Sequence, residues 1–460
     1  MLKIFQGIYV NRLLLTLLLS VTLNAEMTIN EAWQSVELRN DGLKAESSDV
    51  KRAELKSSSA ESMYLPSISI TGSYTHLSKP IGTDTHSLAD NISSLLPITS
   101  AVMSALPNKA IDFSEQDVFL ADLQILWPLY TGGKIDAAQD IYAAQVNEAK
   151  AKQEMRKDVE FLKLVKYYYG VVVSESLLQT REKAQKALEI HYENAKKLKQ
   201  EGQIANIELL NSQVKLDAAR IETSKAKHKF EIASSALATV TKLRDKPKSE
   251  LFVNENMQDE AYYKNQTQKN YAGLKVLDAK ASQSESLVSI KEASWHPQIA
   301  AYGNYNLYKD DSPIMSTLPT WFAGVMVKID LLQRKDRSED VQAAELLNAK
   351  VKYLKAQAIE DLRLLVEKTY KEMLSDYEEF NALNSSIELA KENYRLREIA
   401  FKEGLSTSVE LVDAQMFLLG AKTKRLNAAY NFVQKVSQLT VLSGDREIFF
   451  EIAQSSEEIR

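Results

Sequence analysis

The chain has no cysteine and very little proline. Without cysteine there can be no disulfide framework, no thiolate metal site and no cysteine to carry an N-terminal lipid. Only nine of the 460 residues are proline, and none of them lies between residues 129 and 246 or between 320 and 460. Because proline interrupts helices, these two intervals can form very long helices.

The N-terminus lacks an apolar run long enough to span a membrane. Its run at residues 13–23 covers about 11 residues, short of the roughly 20 that a spanning helix needs. The run follows Lys3 and Arg12 and ends in Leu23-Asn24-Ala25. This pattern predicts a secretory signal peptide, residues 1–25, with cleavage after Ala25, and a membrane anchor is the alternative.

The mature chain is acidic. Removal of the signal peptide takes away two positive charges and no acids, so the net charge changes from −5 to −5 − 2 = −7. A chain with this net charge is not expected to bind nucleic acid.

Hydrophobic periodicity predicts two similar halves joined by a link. Repeat 1 (26–243) has a helix at 28–64, strands at 66–76 and 117–127, a long helix at 134–200 and a returning helix at 204–243. After the link (244–258), repeat 2 (259–443) has a helix at 259–294, strands at 297–308 and 320–332, a long helix at 333–402 and a returning helix at 405–443. Residues 444–460 form a C-terminal tail.

Matching landmarks support an internal duplication. Pro66, Ile68, Gly72 and Tyr74 correspond to Pro297, Ile299, Gly303 and Tyr305 at an offset of 231, and beyond the 77–116 loop the offset becomes 202. Two matched halves indicate two structural repeats. Apolar residues recur about every 3.5 positions in the long helices, which predicts coiled-coil packing for their leucines and tyrosines.

A second pair of matching segments predicts two helical-hairpin tips. The chain reads Glu201-Gly202-Gln203 through Gln213 in the first and Glu403-Gly404-Leu405 through Gln415 in the second. In both, a helical pattern stops at a glycine and restarts a few residues later, which is how a helix folds back on itself.

The four predicted strands alternate between polar and apolar residues. Strands of about 10 residues suit a tilted crossing of a bilayer, where an open sheet edge is not tolerated. Since single-chain barrels begin at eight strands, two or three copies of the chain would have to combine their strands. Trp127, Trp295 and Trp321 lie at strand ends, where an aromatic girdle is expected. The alternative is a soluble sandwich with half-buried strands.

Taken together, these features resemble the TolC-type outer-membrane channels, the outer-membrane factors of tripartite efflux and type I secretion systems. The resemblance covers about residues 27–443 and rests on the duplicated Pro-x-Ile-x-x-x-Gly-x-Tyr strands, the Pro128–Gly133 junction and the two tips. It implies a mostly α-helical homotrimer in the outer membrane. Its 12-stranded β-barrel, four strands per chain, would continue into a long coiled-coil tunnel in the periplasm.

The resemblance also implies partners and functional residues. A periplasmic adaptor protein and an inner-membrane pump or ATP-binding exporter would dock at the tips, and outer-membrane lipid would surround the barrel. The periplasmic entrance ring would consist of Glu410 and Asp413, which Glu208 and Asn211 replace in the first repeat. The entrance-locking tyrosine and arginine of that family fall at Phe401 and Ser406. The residues expected to contact the adaptor are Gly202, Gln203, Glu208, Gly404 and Leu405.

Glu410 and Asp413 are three residues apart and would project from nearly one face of a helix. Six such carboxylates around an axis should repel one another, favour cations and raise some carboxyl pKa values. The alternative is that they are two ordinary solvated helix acids.

No catalytic pattern is present in the sequence. Gly132-Gly133-Lys134-Ile135 lacks the upstream glycine and the hydroxyl of a phosphate loop, and the five histidines show no metal-ligand spacing. We therefore expect no enzyme activity, cofactor or metal. The predicted function is an outer-membrane export duct for small molecules or proteins. The alternative is a periplasmic coiled-coil scaffold without a pore.

Overall fold

A computed structural model describes residues 26–85, 87, 107–248, 250–309, 311–331, 336–403 and 405–458. The predicted signal peptide (1–25), part of the predicted 77–116 loop and Gly404 of the second tip lie outside these residues. The described residues divide into two compact units. The sheet unit comprises residues 52–146 and 279–352, and the helical unit comprises residues up to 51, 147–278 and 353 onward.

The helices are numbered in chain order: α1 (Ile29–Arg39), α2 (Asp41–Glu61), α3 (Lys134–Gln200), α4 (Asn206–Thr241), α5 (Glu260–Asn270), α6 (Ala272–Glu292), α7 (Pro313–Ser316), α8 (Arg337–Lys402), α9 (Ser408–Leu442) and α10 (Glu447–Ser455). The strands are β1 (Glu26–Met27), β2 (Ser67–His76), β3 (Gly82–Asp84), β4 (Ala110–Asp112), β5 (Asp117–Tyr130), β6 (Lys246–Pro247), β7 (Phe252–Val253), β8 (Gln298–Lys309), β9 (Trp321–Lys328) and β10 (Glu457–Glu458). Among the described residues, no helix is both long enough and apolar enough to cross a membrane.

Four strands form the main sheet of the sheet unit. Their order is β2-β5-β8-β9, and every neighbouring pair is antiparallel. Strand β5 is longer than predicted, because it continues through Pro128 to Tyr130, whereas β9 ends at Lys328 and is shorter than the predicted 320–332. The bulge in the β5–β8 pairing near Pro128 gives a physical reason for the longer strand, since proline cannot donate a ladder hydrogen bond.

The predicted first helix of each half is wrong as a single helix. In the first half the helix breaks at Asn40, whose backbone is extended. The side chain of Asn40 accepts a hydrogen bond from Leu43 N at 3.1 Å and donates one to Glu160 at 3.0 Å. Such a side chain stabilises a new helix start. In the second half the break falls at Tyr271, between α5 and α6.

The helical unit is built around one large aromatic and aliphatic core. Its largest fully buried side chains include Tyr168, Tyr169, Phe161, Phe252, Phe432 and Phe449. Burying each such ring contributes about 1.5–3 kcal/mol relative to exposure. The predicted C-terminal tail contains α10, whose Phe449 contacts the rings of Phe161 and Phe252.

The two ends of the described chain pair with the link between the halves. Strand β1 pairs with β6 in parallel, and β10 pairs with β7 in antiparallel orientation. The Tyr168 hydroxyl donates to Met27 O at 2.6 Å. Residues far apart in the sequence are therefore held in the same core.

Candidate functional site: the strand sheet and the hairpin tips

The register of the main sheet separates two faces of different chemistry. Ile70 pairs with Leu123, which pairs with Tyr305, which in turn pairs with Trp321. Because residues directly opposite one another lie on the same face of a sheet, the register defines one apolar face: Ile68, Ile70, Tyr74, Phe119, Leu123, Ile125, Trp127, Tyr305, Trp321, Val325 and Val327.

The opposite face carries most of the polar side chains. On β2 it consists of alternating small hydroxyl residues: Ser67, Ser69, Thr71, Ser73 and Thr75. On β5 and β8 it includes Asp122, Gln124 and Asn304, together with apolar side chains such as Tyr302. The side chains of Asn304 and Gln124 donate hydrogen bonds to Asp122 at 2.8 and 2.6 Å. The shared face of Asp122 and Gln124 follows from the sequence alternation, whereas no local pattern indicates Asn304 as their partner.

The apolar face is exposed in a single chain. Ile70 is 70% exposed, Trp321 66% and Val325 63%. The outer strands β2 and β9 each have one unpaired edge within the described residues. A sheet with an exposed apolar face and two open edges is expected to pair with further strands.

The three predicted girdle tryptophans lie at both ends of the sheet. Trp127 lies near the end of β5 that leads into α3, and its indole N–H donates to Tyr64 O at 2.9 Å. Trp295 precedes β8, with the Arg337 guanidinium 5.2 Å from its ring centroid. Trp321 begins β9 and is thus at the other end. Interfacial aromatic residues at both ends are typical of membrane strands.

The first tip ends α3 with a compact hydrogen-bonded turn. Gly202 N donates to Lys199 O at 3.1 Å, and Gln203 N donates to Leu198 O at 2.8 Å. This pair of bonds defines a Schellman motif. Gly202 has φ +72°, which favours glycine. Gln203 and Glu208 are exposed on either side of the turn into α4.

The second tip repeats one of these bonds and adds a side-chain cap. Leu405 N donates to Ala400 O at 2.7 Å, and the Leu405 side chain is 82% exposed. Thr407 caps α9 in a capping box with Glu410, whose carboxylate accepts from Thr407 N at 2.9 Å. The first tip has Ala205 at the equivalent cap, which forms no side-chain bond.

The two acids of the predicted entrance ring have separate basic partners within the chain. Glu410 lies 3.3 Å from Arg397, and Asp413 lies 3.3 Å from Lys215 of α4. Hydrogen bonds from Ser406 and Thr407, with Arg397 nearby, lower the pKa of Glu410. This direction is opposite to the increase expected from carboxylate repulsion alone. The structure thus places both acids on α9 without bringing them to a common partner.

Phe401, at the position of the expected lock tyrosine, contacts a buried histidine. The rings of Phe401 and His191 of α3 meet edge to face, with centroids 5.7 Å apart. Burial is the larger cause, and Lys215 the smaller, of the lowered pKa of His191. Ser406, at the position of the expected lock arginine, donates to the Glu410 carboxylate at 2.7 Å. The sequence did not indicate His191 or Lys215 as tip residues.

A family comparison matches most of the chain. The model for outer membrane efflux proteins matches residues 32–241 and 264–445. The exposed sheet and paired helical hairpins define a protein of this class, and the chain belongs to the outer membrane efflux protein family. It is an outer-membrane protein with a general role in efflux.

Solved structures share its fold at low sequence identity. The CusC structure has a TM-score of 0.73 and 12% identity, covering 93% of this chain and 96% of that one. The Campylobacter jejuni CmeC outer membrane channel has a TM-score of 0.70 and 13% identity, covering 93% and 89%. The Vibrio cholerae outer membrane protein VceC has a TM-score of 0.70 and 12% identity, covering 91% and 96%. No curated protein sequence matches the chain.

Proposed function

We propose that three copies of the chain close a 12-stranded β-barrel in the outer membrane and form an export duct for small molecules or proteins. The observation that carries this proposal is the four-stranded sheet with two open edges and an exposed apolar face. In lipid, such edges must be paired by further strands, because unpaired backbone groups have no water to bond.

The strand order supports closure by identical copies. Successive strands β2, β5, β8 and β9 alternate in direction, so β9 of one copy can pair antiparallel with β2 of the next. Two copies would give eight strands, and three would give twelve. An eight-stranded barrel has an interior that side chains can fill. The hydroxyl-lined inner face favours the wider, water-filled barrel.

The chain offers a direct test of the number of copies because it has no native cysteine. We would place one cysteine at Ile70 in β2 and a second, on the same face of the sheet, in turn at Ala323, Val325 or Val327 in β9. Oxidation in outer membranes should give a covalent ladder that ends at the trimer. A ladder ending at the dimer would contradict the trimer. A soluble elongated oligomer without crosslinks would favour the periplasmic scaffold.

We further propose that the two tips dock a periplasmic adaptor protein, which joins the duct to an inner-membrane pump or ATP-binding exporter. The support is the repeated turn and the exposed Leu405 side chain. Single cysteines at Gln203 and Leu405 should crosslink to the adaptor. Cysteines at exposed positions remote from the tips, such as Lys350, are the control, and capture only from there would contradict tip docking.

The entrance acids are proposed to make the duct prefer cations. Both ion pairs are partly exposed and therefore weak, so Lys215 and Arg397 can leave their acids at little cost. The double variant Glu410→Gln/Asp413→Asn removes both charges, and glutamine preserves the capping box. The reversal potential of single channels in a salt gradient should shift away from cation preference. An unchanged reversal potential would exclude the ring.

No feature of the described residues supports catalysis, and the proposed duct requires no cofactor. No group of three or more potential metal ligands of the His, Cys, Asp or Glu types occurs in the described part of the chain. The proposed role depends on passage and docking alone.

A further inference from the structure

The helical unit contains a basic cleft where α4 meets the link. The cleft has a volume of about 650 Å³, which lies within the range of typical ligand sites. Its walls are formed by the end of α4, the first residues of the link and Val171 of α3. The C-terminal turns of α4 contribute apolar and hydroxyl side chains, among them Phe230, Leu237, Ser234, Ser235 and Thr239.

The rim of this cleft is basic in an otherwise acidic protein. Residues 242–248 read Lys-Leu-Arg-Asp-Lys-Pro-Lys, with a base at every second position. All four bases are exposed. Lys246 lies 3.5 Å from Glu175. The positive charge of Lys248 favours the ionised carboxylate of Glu31. Within the described residues, Lys242 and Arg244 have no acidic partner.

Lys242 occupies an unfavourable backbone conformation. It ends α4 with φ 58° and ψ 20°, in the left-handed region where glycine is preferred. It is the only non-glycine residue with positive φ among the described residues. One structural explanation for a lysine at this position is that its charge stabilises the carboxyl end of α4. A binding role for the ammonium group is the other explanation, and the two predict different effects of substitution.

We propose that this cleft binds an extended acidic peptide segment of a periplasmic partner protein. Alternate residues of an extended chain are about 6.6 Å apart and project to the same side. Two acids of such a peptide would pair with Lys242 and Arg244, the bases of the cleft lining that have no acidic partner among the described residues. An intervening apolar side chain would pack on Phe230, and the hydroxyl groups of Ser234 and Ser235 can bond to the peptide backbone.

The site is distinct from the hairpin tips in sequence and chemistry. The tips carry glycine turns, an exposed leucine and two acids, whereas the cleft presents bases above an apolar floor. Asp245 within the rim and Glu175 beside Lys246 offset part of the positive charge, whereas Lys242 and Arg244 have no acidic partner among the described residues. Electrostatic complementarity of this kind mainly sets partner choice and association rate.

The test measures binding of a fluorescein-labelled peptide, Glu-Phe-Glu-Ser-Glu, to the full-length protein in detergent by fluorescence anisotropy. The peptide should bind at low ionic strength and weaken as salt is raised. Lys242→Gln/Arg244→Gln should weaken binding by about tenfold or more. The matched control, Lys350→Gln/Lys352→Gln, removes two exposed bases of α8 and should leave the affinity unchanged.

Two further variants separate binding from stability. Lys242→Gly should weaken the peptide complex while leaving thermal stability equal or higher, because glycine relieves the left-handed backbone. Ser235→Glu, at an exposed position of the cleft wall, should weaken binding by repulsion. Full binding by Lys242→Gly with lowered stability would assign Lys242 to the helix end alone and overturn the proposal.

Two more probes distinguish a specific peptide-binding site from a general polyanion surface. Glu-Ser-Glu-Ser-Glu lacks the apolar anchor and should bind more weakly than the phenylalanine peptide. Equal binding of both peptides, or tighter binding of long poly-glutamate per carboxylate, would show a general polyanion surface and overturn the assignment. Equal loss in the Lys350→Gln/Lys352→Gln control would also overturn it.

Discussion

The junction between β5 and α3 contains two adjacent glycines that should respond very differently to alanine. Both have positive φ, +67° for Gly132 and +84° for Gly133. A Cβ at Gly132 would lie 2.6 Å from the His296 Cβ and 3.0 Å from Ala293 O, whereas a Cβ at Gly133 would meet nothing within 4 Å. Alanine at either position therefore pays the cost of a left-handed backbone, and only alanine at Gly132 adds a steric clash.

The two costs can be compared in magnitude. A left-handed alanine costs about 1–2 kcal/mol, and this term applies to both variants. Overpacking adds about 1–3 kcal/mol when neighbours must move. Backbone atoms and a Cβ cannot swing aside as the end of a flexible side chain could. We expect Gly132→Ala to lower the free energy of unfolding by about 2–5 kcal/mol and Gly133→Ala by about 1–2 kcal/mol.

The assay is the melting temperature of the heat-modifiable oligomer on gels, supported by urea unfolding in detergent. Gly132→Ala should melt clearly below Gly133→Ala, and Gly132→Ala should also reduce the amount assembled in the outer membrane. Gly133→Asn serves as the control, because asparagine tolerates the left-handed region. Equal losses for the two alanine variants, or a larger loss at Gly133, would refute the steric argument.

Three other substitutions test contacts in the helical unit. Thr407→Ala removes the cap of α9 and should cost about 1 kcal/mol of stability, measured by urea unfolding. Arg446→Ala leaves Asp158 buried without its cation and should cost about 3–5 kcal/mol, whereas a loss below about 1 kcal/mol, typical of an exposed pair, would contradict its burial. Because the pKa of His191 is lowered in the folded chain, the unfolded chain binds more protons at this residue. Stability should therefore fall as pH drops below about 6.5. His191→Gln should reduce this pH dependence in melting curves at pH 5.5 and 7.5.

Local features of the sequence were enough to place the long helices and to locate the strands, although not all of the strand ends. The Gly132-Gly133 pair marks the start of α3, and Gly202 marks its end. These residues act through their own backbone sterics, so their effect does not depend on distant partners. The alternation in β2 and β5 likewise predicted which side chains share a face, because the period of a strand is two.

The breaks in the first helix of each half and the short C-terminal helix α10 could not be predicted from local sequence, because they depend on tertiary contacts. Asn40 interrupts the first helix with a side chain that also reaches Glu160, 120 residues away. The nine residues of α10 are too few to distinguish from other apolar segments by periodicity. Its Phe449 is buried against Phe161 and Phe252. Packing of residues distant in sequence stabilises both features.

The sequence by itself determined the two hairpin tips and the presence of Glu410 and Asp413 in one of them, because helix stops and residue spacing are local properties. Only the tertiary structure assigned a separate cation to each acid. Lys215 is 198 residues from Asp413 and lies on another helix. Which side chains meet across helices depends on the rotation and stagger of each helix in the packed unit, and no local pattern encodes these.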